Sequence, residues 1–183
     1  QISFQKTGGA TPTLLPTICD FLLWYAKDKN HVKFRQVFQE KQLGSEGTTQ
    51  YVWTESPDGS AIRRLSPQEI ANPTLIPKGW RVFACDNLSS PGFSANTSVP
   101  VTYNGQTYTP AGGRHWRTLP EGIGRIGKIG RLYPIGKSLM FKLYLDDFRV
   151  QPIGNVWRDT WTTGFTDPKI YAVQTGNRVI ERC

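Results

Sequence analysis

The dipeptide Asn104-Gly105, set between alternating runs in VPVTYNGQTYTP, constrains this chain more than any other feature. Both residues tolerate the positive φ of a tight two-residue turn, whose twist matches a pair of antiparallel strands, so a hairpin is expected here. Neighbouring segments follow the same pattern. YVWTESPDGSAIRRL reads as two strand-like runs around the turn Pro57-Asp58-Gly59. SPQEIANP offers Ser66 as N-cap, Pro67 at the first helical position and Glu69 three residues after the cap, a capping box that opens a short helix. RVFACDN and SLMFKLYLDD read as further strands. At the N-terminal end QISFQK and CDFLLWYAKD read as two short strands separated by the loop TGGATPTLLP. DFLLWYA is a continuous apolar run, as in a strand covered on both faces, with a buried helical turn as the competing reading. The fold class expected is α+β, mainly antiparallel β with short helices. There is no internal repeat apart from Ile-Gly-basic triplets.

A chain of 183 residues forms one domain, or one domain plus a small lobe. With 38% hydrophobic and 20% charged residues it has an ordinary globular composition. No apolar run approaches the ~20 residues needed to cross a bilayer, and no leader pattern is visible. Cys19, Cys85 and Cys183 are odd in number and lack metal-ligand spacing, so buried free thiols in a reducing, cytoplasmic setting are expected. The chain starts at Gln1 without a methionine and stops within the apolar-periodic RVIERC, so both ends are expected to have been cut from something longer. The net charge is +8 with a pI near 9.6, which favours polyanionic partners. The charge is uneven: Arg114 to Arg131 holds five Lys/Arg against one acid, Glu121.

The stretch GIGRIGKIGR, Gly122 to Arg131, fits two phosphate-binding patterns at once, G-x-G-x-x-G and G-x-x-x-x-G-K. Neither survives its context. The glycines follow TLPE, where proline argues against a central strand, and Pro134 and Gly136 arrive too soon for a crossover helix. Ile129 stands where a phosphate loop needs Ser or Thr. A helix fits better: Thr118-Leu119-Pro120-Glu121 reads as a second capping box, Ile123, Ile126 and Ile129 as its buried stripe, and Arg125, Lys128 and Arg131 as an outward basic edge. Each interior glycine weakens such a helix by ~1 kcal/mol relative to alanine, yet lets a phosphate backbone approach closely. A solvated basic face that binds nothing is the competing reading.

No complete catalytic centre is visible. His31 reads as a surface residue. His115, flanked by Arg114 and Trp116, suits a contact to a base or phosphate. Asp146 and Asp147 are neighbours on a strand and point to opposite faces, which argues against an acid/base pair. Trp116 has the best claim to exposure and to stacking on a base, whereas Trp24, Tyr25, Trp53 and Trp157 read as core.

QISFQKTGGATPTLLPTICDFLLWYAKDK resembles the later catalytic motifs of bacterial DNA amino-methyltransferases, the N6-adenine and N4-cytosine enzymes, and most of all those related to type III modification subunits. YLDDFRVQPIGNVWRDTWTTGFTDPKIYAVQTGNRVIERC is similar to the segment that precedes their cofactor-binding glycine motif, and RHWRTLPEGIGRIGKIGRL to a family helix that follows a loop. The family's Asp-Pro-Pro-Tyr and Phe-x-Gly-x-Gly motifs do not occur; Asp167-Pro168 is followed by Lys169, and Gly176-Asn177-Arg178 lies near the position of a usual Lys-Pro.

The resemblance implies the middle of an S-adenosylmethionine-dependent enzyme. Residues 1–29 would be partial catalytic-domain strands, 30–155 the target recognition region, and 156–183 the approach to the cofactor-binding part. The terminal strands would belong to an incomplete Rossmann-like methyltransferase sheet. This chain would be inactive alone and hold no cofactor itself, with S-adenosylmethionine expected for the complete enzyme. Its partner would be double-stranded DNA, together with the rest of the methyltransferase or a restriction subunit. Arg114, Arg117, Arg125, Lys128 and Arg131 would anchor phosphates, with His115 and Trp116 touching bases. Arg63 and Arg64 would add a second patch, of which alternation lets only one face DNA. By family position Thr7, Gly8, Gly9 and Thr11 would line the substrate pocket. The alternative is a stand-alone β-rich module for RNA or polysaccharide.

Overall fold

A computed structural model describes residues 1–6, 14–161, 170 and 174–183. The chain divides into a terminal unit, residues 1–39 with 150–183, and a central unit, residues 40–149. The chain enters through β1 (Ile2–Gln5), β2 (Cys19–Leu22) and β3 (Phe38–Glu40). β4 (Trp53–Glu55), β5 (Ile62–Arg64), α1 (Pro67–Ala71), β6 (Arg81–Asn87) and β7 (Ser89–Pro91) follow. Next come β8 (Val101–Tyr103), β9 (Gln106–Tyr108), β10 (Arg114–Trp116), α2 (Pro120–Lys128), β11 (Leu132–Ile135) and β12 (Ser138–Tyr144). The chain returns through β13 (Val150–Pro152), β14 (Val156–Trp157) and α3 (Asn177–Arg182). The fold is α+β, rich in mostly antiparallel strands with a few short helices.

The central unit is built on a five-stranded sheet, order β11-β12-β6-β4-β5, antiparallel at every pairing. Two ribbons accompany it, β8–β9 and β7–β10. The β8–β9 turn is the one the Asn-Gly dipeptide requires: Asn104 has φ 49° and Gly105 φ 77°, and Tyr103 pairs with Gln106 across a two-residue loop. Alternation then turns Val101 and Tyr108, which face each other, into the core. There they join Leu88, Trp116, Ile123, Leu132 and Leu139. A second aromatic group lies on the sheet, where Phe83 contacts Trp53, Tyr133 and Tyr144 with ring centroids 6.4, 5.8 and 5.7 Å away.

The capping box of α1 forms as its sequence demands. Glu69 N–H donates to Ser66 Oγ at 3.2 Å and Ser66 N–H to Glu69 Oε2 at 2.9 Å. Arg63 then forks onto the same carboxylate at 2.8 and 2.6 Å. This fork, helped by the Ser66 N–H, holds the Glu69 carboxyl down at about 2.

The terminal unit holds a three-stranded sheet, order β14-β1-β2. β1 runs parallel to β14, with Ser3 opposite Val156 and Phe4 opposite Trp157, and antiparallel to β2. Phe4, Trp157 and Val179 of α3 form its buried cluster. The DFLLWYA expectation is corrected here. β2 ends at Leu22, and Leu23, Trp24 and Tyr25 are exposed, Tyr25 by 82%. β2 is an edge strand of this sheet, and the run leaves it after Leu22. Trp157 is core as expected. The compact units divide at 39/40 and 149/150. The reason is that β3 pairs with β13, and Gln36 Nε2 donates to Ile153 O at 3.1 Å, which ties both connecting segments to the terminal unit.

Candidate nucleic-acid interface

The stretch 122–131 is a helix and its C-terminal stop, and each of its glycines has its own environment. α2 opens at Pro120, so its N-cap is Leu119, which has no side-chain oxygen. The Thr118 capping box therefore does not form. Instead, the Thr118 side chain lies against Gly122, where an added Cβ would meet Oγ1 at 2.2 Å. Gly127 faces Leu132 and Tyr103, both 3.2 Å from such a Cβ, while Gly124 faces open space. Gly130 has φ 72°; its N–H bonds Gly127 O at 3.0 Å and Arg131 N–H bonds Ile126 O at 3.1 Å, the two bonds of a Schellman stop. Ile123 is buried and Ile126 packs beside it. Ile129, at the C-cap, is 71% exposed and leaves the expected stripe, because the chain unwinds there.

These environments give the same substitution opposite effects two positions apart. Gly124→Ala should stabilise the unit by up to ~1 kcal/mol, the propensity difference alone. Gly122→Ala should destabilise it by ~1–3 kcal/mol through overpacking against Thr118. Urea midpoints of the two variants should lie on either side of the parent; a shift in the same direction for both would refute this packing.

The basic residues read from the sequence separate into free and committed groups. Arg125 and Lys128 are exposed on α2 and have no ion-pair partner among the described residues. Arg131, expected on the same edge, is committed instead. It lies past the helix, forks onto Asp147 with Nη2 to Oδ1 at 2.8 Å, and stacks 4.5 Å from the Tyr144 ring centroid. That guanidinium holds the Asp147 carboxyl below its ordinary value. Asp146 pairs with Arg81 at 2.8 Å, so both aspartates serve as ion-pair partners.

On β10, strand alternation decides the rest. Arg114 and Trp116 turn inward. Arg114 Nε donates to Ser89 Oγ at 2.9 Å and Nη2 to Ser89 O at 2.7 Å. Trp116 is 3% exposed and its Nε1–H donates to Val99 O at 2.8 Å, which corrects the expectation of an exposed ring. Its glycine-rich, charged flanks say nothing about the face it takes. His115 and Arg117 turn outward. His115 Nδ1 bonds Gly92 O at 2.9 Å, while Arg117 Nε donates to Ser90 Oγ at 3.2 Å and Nη1 to Asp86 Oδ2 at 3.1 Å.

Arg63 is held by Glu69, and its guanidinium carbon lies 5.1 Å from the Trp80 ring centroid, so it is a structural residue rather than an open patch. Arg64 is exposed and lies 5.1 Å over Trp53. Thr7, Gly8, Gly9 and Thr11 lie outside the described residues. His31 is a surface residue bonded to Asp28.

Two features give no sequence signal. One is an open groove of about 500 Å³ between α2 and the β8–β9 hairpin, lined by Tyr103, Asn104, Ile123, Gly124 and Lys128 among others. It exists only because the helix packs beside the hairpin. The other is Phe93, 80% exposed next to the β7–β10 ribbon.

Among the described residues no three of His, Cys, Asp and Glu are grouped to hold a metal. The three cysteines are free; Cys183 is exposed, and burial pushes the Cys85 thiol up to about 11. No helix among the described residues is long and apolar enough to cross a membrane. No family model, no curated protein and no solved structure matches this chain.

Proposed function

We propose that this chain is the DNA-reading segment of an S-adenosylmethionine-dependent DNA amino-methyltransferase. The central unit is its target recognition region, and the terminal unit is part of a Rossmann-like catalytic sheet. One observation carries this reading. β1 and β14 lie in the two terminal blocks that resemble the family, more than 150 residues apart, and they pair in parallel inside one compact unit. The basic central unit is inserted between them, as expected where a recognition region interrupts a catalytic sheet. Parallel pairing is the mode of such a sheet, and an antiparallel hairpin protein has no need of it.

The chemistry of this segment is binding. Arg125 and Lys128, exposed on α2 and without an ion-pair partner among the described residues, suit phosphate oxygens; Lys128 lines the groove together with Gly124, which leaves room for a backbone to come close. The methyl donor would be S-adenosylmethionine. The glycine run 122–130 is a helix with a Schellman stop and offers no loop for that cofactor.

Titration against a mixed-sequence 20-base-pair duplex at several salt concentrations tests the reading, with single-stranded RNA and a neutral glycan as competitors. Log affinity should fall linearly with log salt, and Arg125→Ala and Lys128→Ala should each lower the slope by about 1. A chain that ignores duplex DNA at low salt overturns the proposal. Salt-insensitive capture of the glycan would instead favour a sugar-binding module.

A further inference from the structure

We infer that the outward face of the β7–β10 ribbon reads base edges in the major groove of duplex DNA, with Arg117 as a guanine reader. This deepens the duplex-binding reading above and rests on it. Strand pairing sets His115 opposite Ser90, and Arg117 follows two positions on, on the same face as His115. Arg117 has five N–H donors in a rigid fork. Ser90 Oγ takes the Nε–H at 3.2 Å and Asp86 Oδ2 takes one on Nη1 at 3.1 Å. Nη2 has no partner among the described residues. The side chain is half-exposed, at 50%. Two acceptors thus orient the guanidinium and leave Nη2 without a partner among the described residues.

The carboxylate behind it separates Arg117 from the cations of α2. A phosphate approaching Arg117 would meet Asp86 as well, and the two interactions oppose each other. Guanine O6 and N7 are neutral acceptors spaced for an arginine fork and incur little of that repulsion. Arg117 is therefore built to discriminate, and Arg125 and Lys128 to hold.

His115 adds a second polar contact of defined kind. Its Nδ1 faces the Gly92 carbonyl at 2.9 Å, and a carbonyl only accepts, so Nδ1 carries the proton. In the tautomer that carries only this proton, Nε2 is an acceptor, suited to the exocyclic amine of cytosine or adenine. Phe93, 80% exposed directly after Gly92, supplies an apolar contact of the kind a thymine methyl accepts.

Selection from a randomised duplex library by the full chain, followed by sequencing, tests this. The parent should enrich a motif with at least one invariant G·C pair. Arg117→Ala should flatten that position, lowering its preference for guanine by about 5- to 100-fold, with the salt slope of binding unchanged. Arg117→Lys, which keeps the charge and loses the fork, should flatten it as well. Lys128→Ala should weaken all sequences alike and lower the slope by about 1. The inference fails if the parent binds duplex without base preference. It also fails if Arg117→Ala keeps the preference and lowers the slope, since Arg117 would then be a phosphate anchor. A parent that binds no duplex at all defeats the underlying DNA reading too, a result distinct from either of these.

Discussion

Lys142→Ala should lower the stability of the central unit by about 3–5 kcal/mol, the cost of leaving a buried charge without its partner. Lys142 sits on β12 with 5% exposure, and its Nζ lies 2.5 Å from Glu55 Oε1 on β4, itself 7% exposed. The Tyr144 hydroxyl donates to the other carboxylate oxygen. Burial, followed by that bond to Glu55, raises the phenol's pKa above its ordinary value, so it stays a donor through the neutral range. Truncating the lysine strands Glu55 in the sheet with a phenol and no cation. Replacing both charged residues by leucine should cost far less, because the desolvation of the pair disappears together with its attraction. Urea unfolding followed by tryptophan fluorescence checks both variants. A Lys142→Ala midpoint close to the parent's would show that water reaches Glu55 and that the pair is not sealed.

Trp116→Ala should cost a similar ~3–5 kcal/mol, the usual range for emptying a buried aromatic site. The ring lies among Leu88, Val101, Tyr108, Ile123, Leu132 and Leu139, so the cavity would open between α2 and both ribbons. Lost duplex binding by this variant would say only that the scaffold had loosened. Trp116→Phe separates the two effects. It keeps much of the packing but removes the Nε1–H that satisfies Val99 O at 2.8 Å, a loss of about 1–3 kcal/mol. Duplex affinity should then stay at the parent's level wherever the variant is folded. A folded Trp116→Phe that no longer binds duplex would mean that the indole touches DNA after all.

The two substitutions concern the same problem, which is telling a side chain that touches a partner from one that touches its own fold. Composition pointed to a basic, aromatic segment from Arg114 to Arg131, and that segment is an exposed helix edge and a ribbon face in part only. Of its five cations, Arg125 and Lys128 have no ion-pair partner among the described residues, Arg117 is half-exposed and held by one carboxylate, and Arg114 and Arg131 are bonded into the fold. In R-H-W-R the alternation of the strand was available in the sequence. Which parity faced inward was not, because that depends on where Leu88 and Ile123 arrive.

What the sequence determined by itself is what lies within a few residues. The Asn104-Gly105 hairpin and the Ser66–Glu69 box follow from local dihedral preference and local hydrogen bonds. Only the tertiary structure decided which charges are spent. The carboxylate that claims Arg131 lies 16 residues away, the one that holds Arg117 lies 31 away, and the Lys142 that meets Glu55 lies 87 away. The apolar run DFLLWYA shows the same limit from the other side, since an apolar stretch becomes core only where another layer covers it. Ion pairing and burial act through space over a few ångströms, and chain distance does not set which groups come that close.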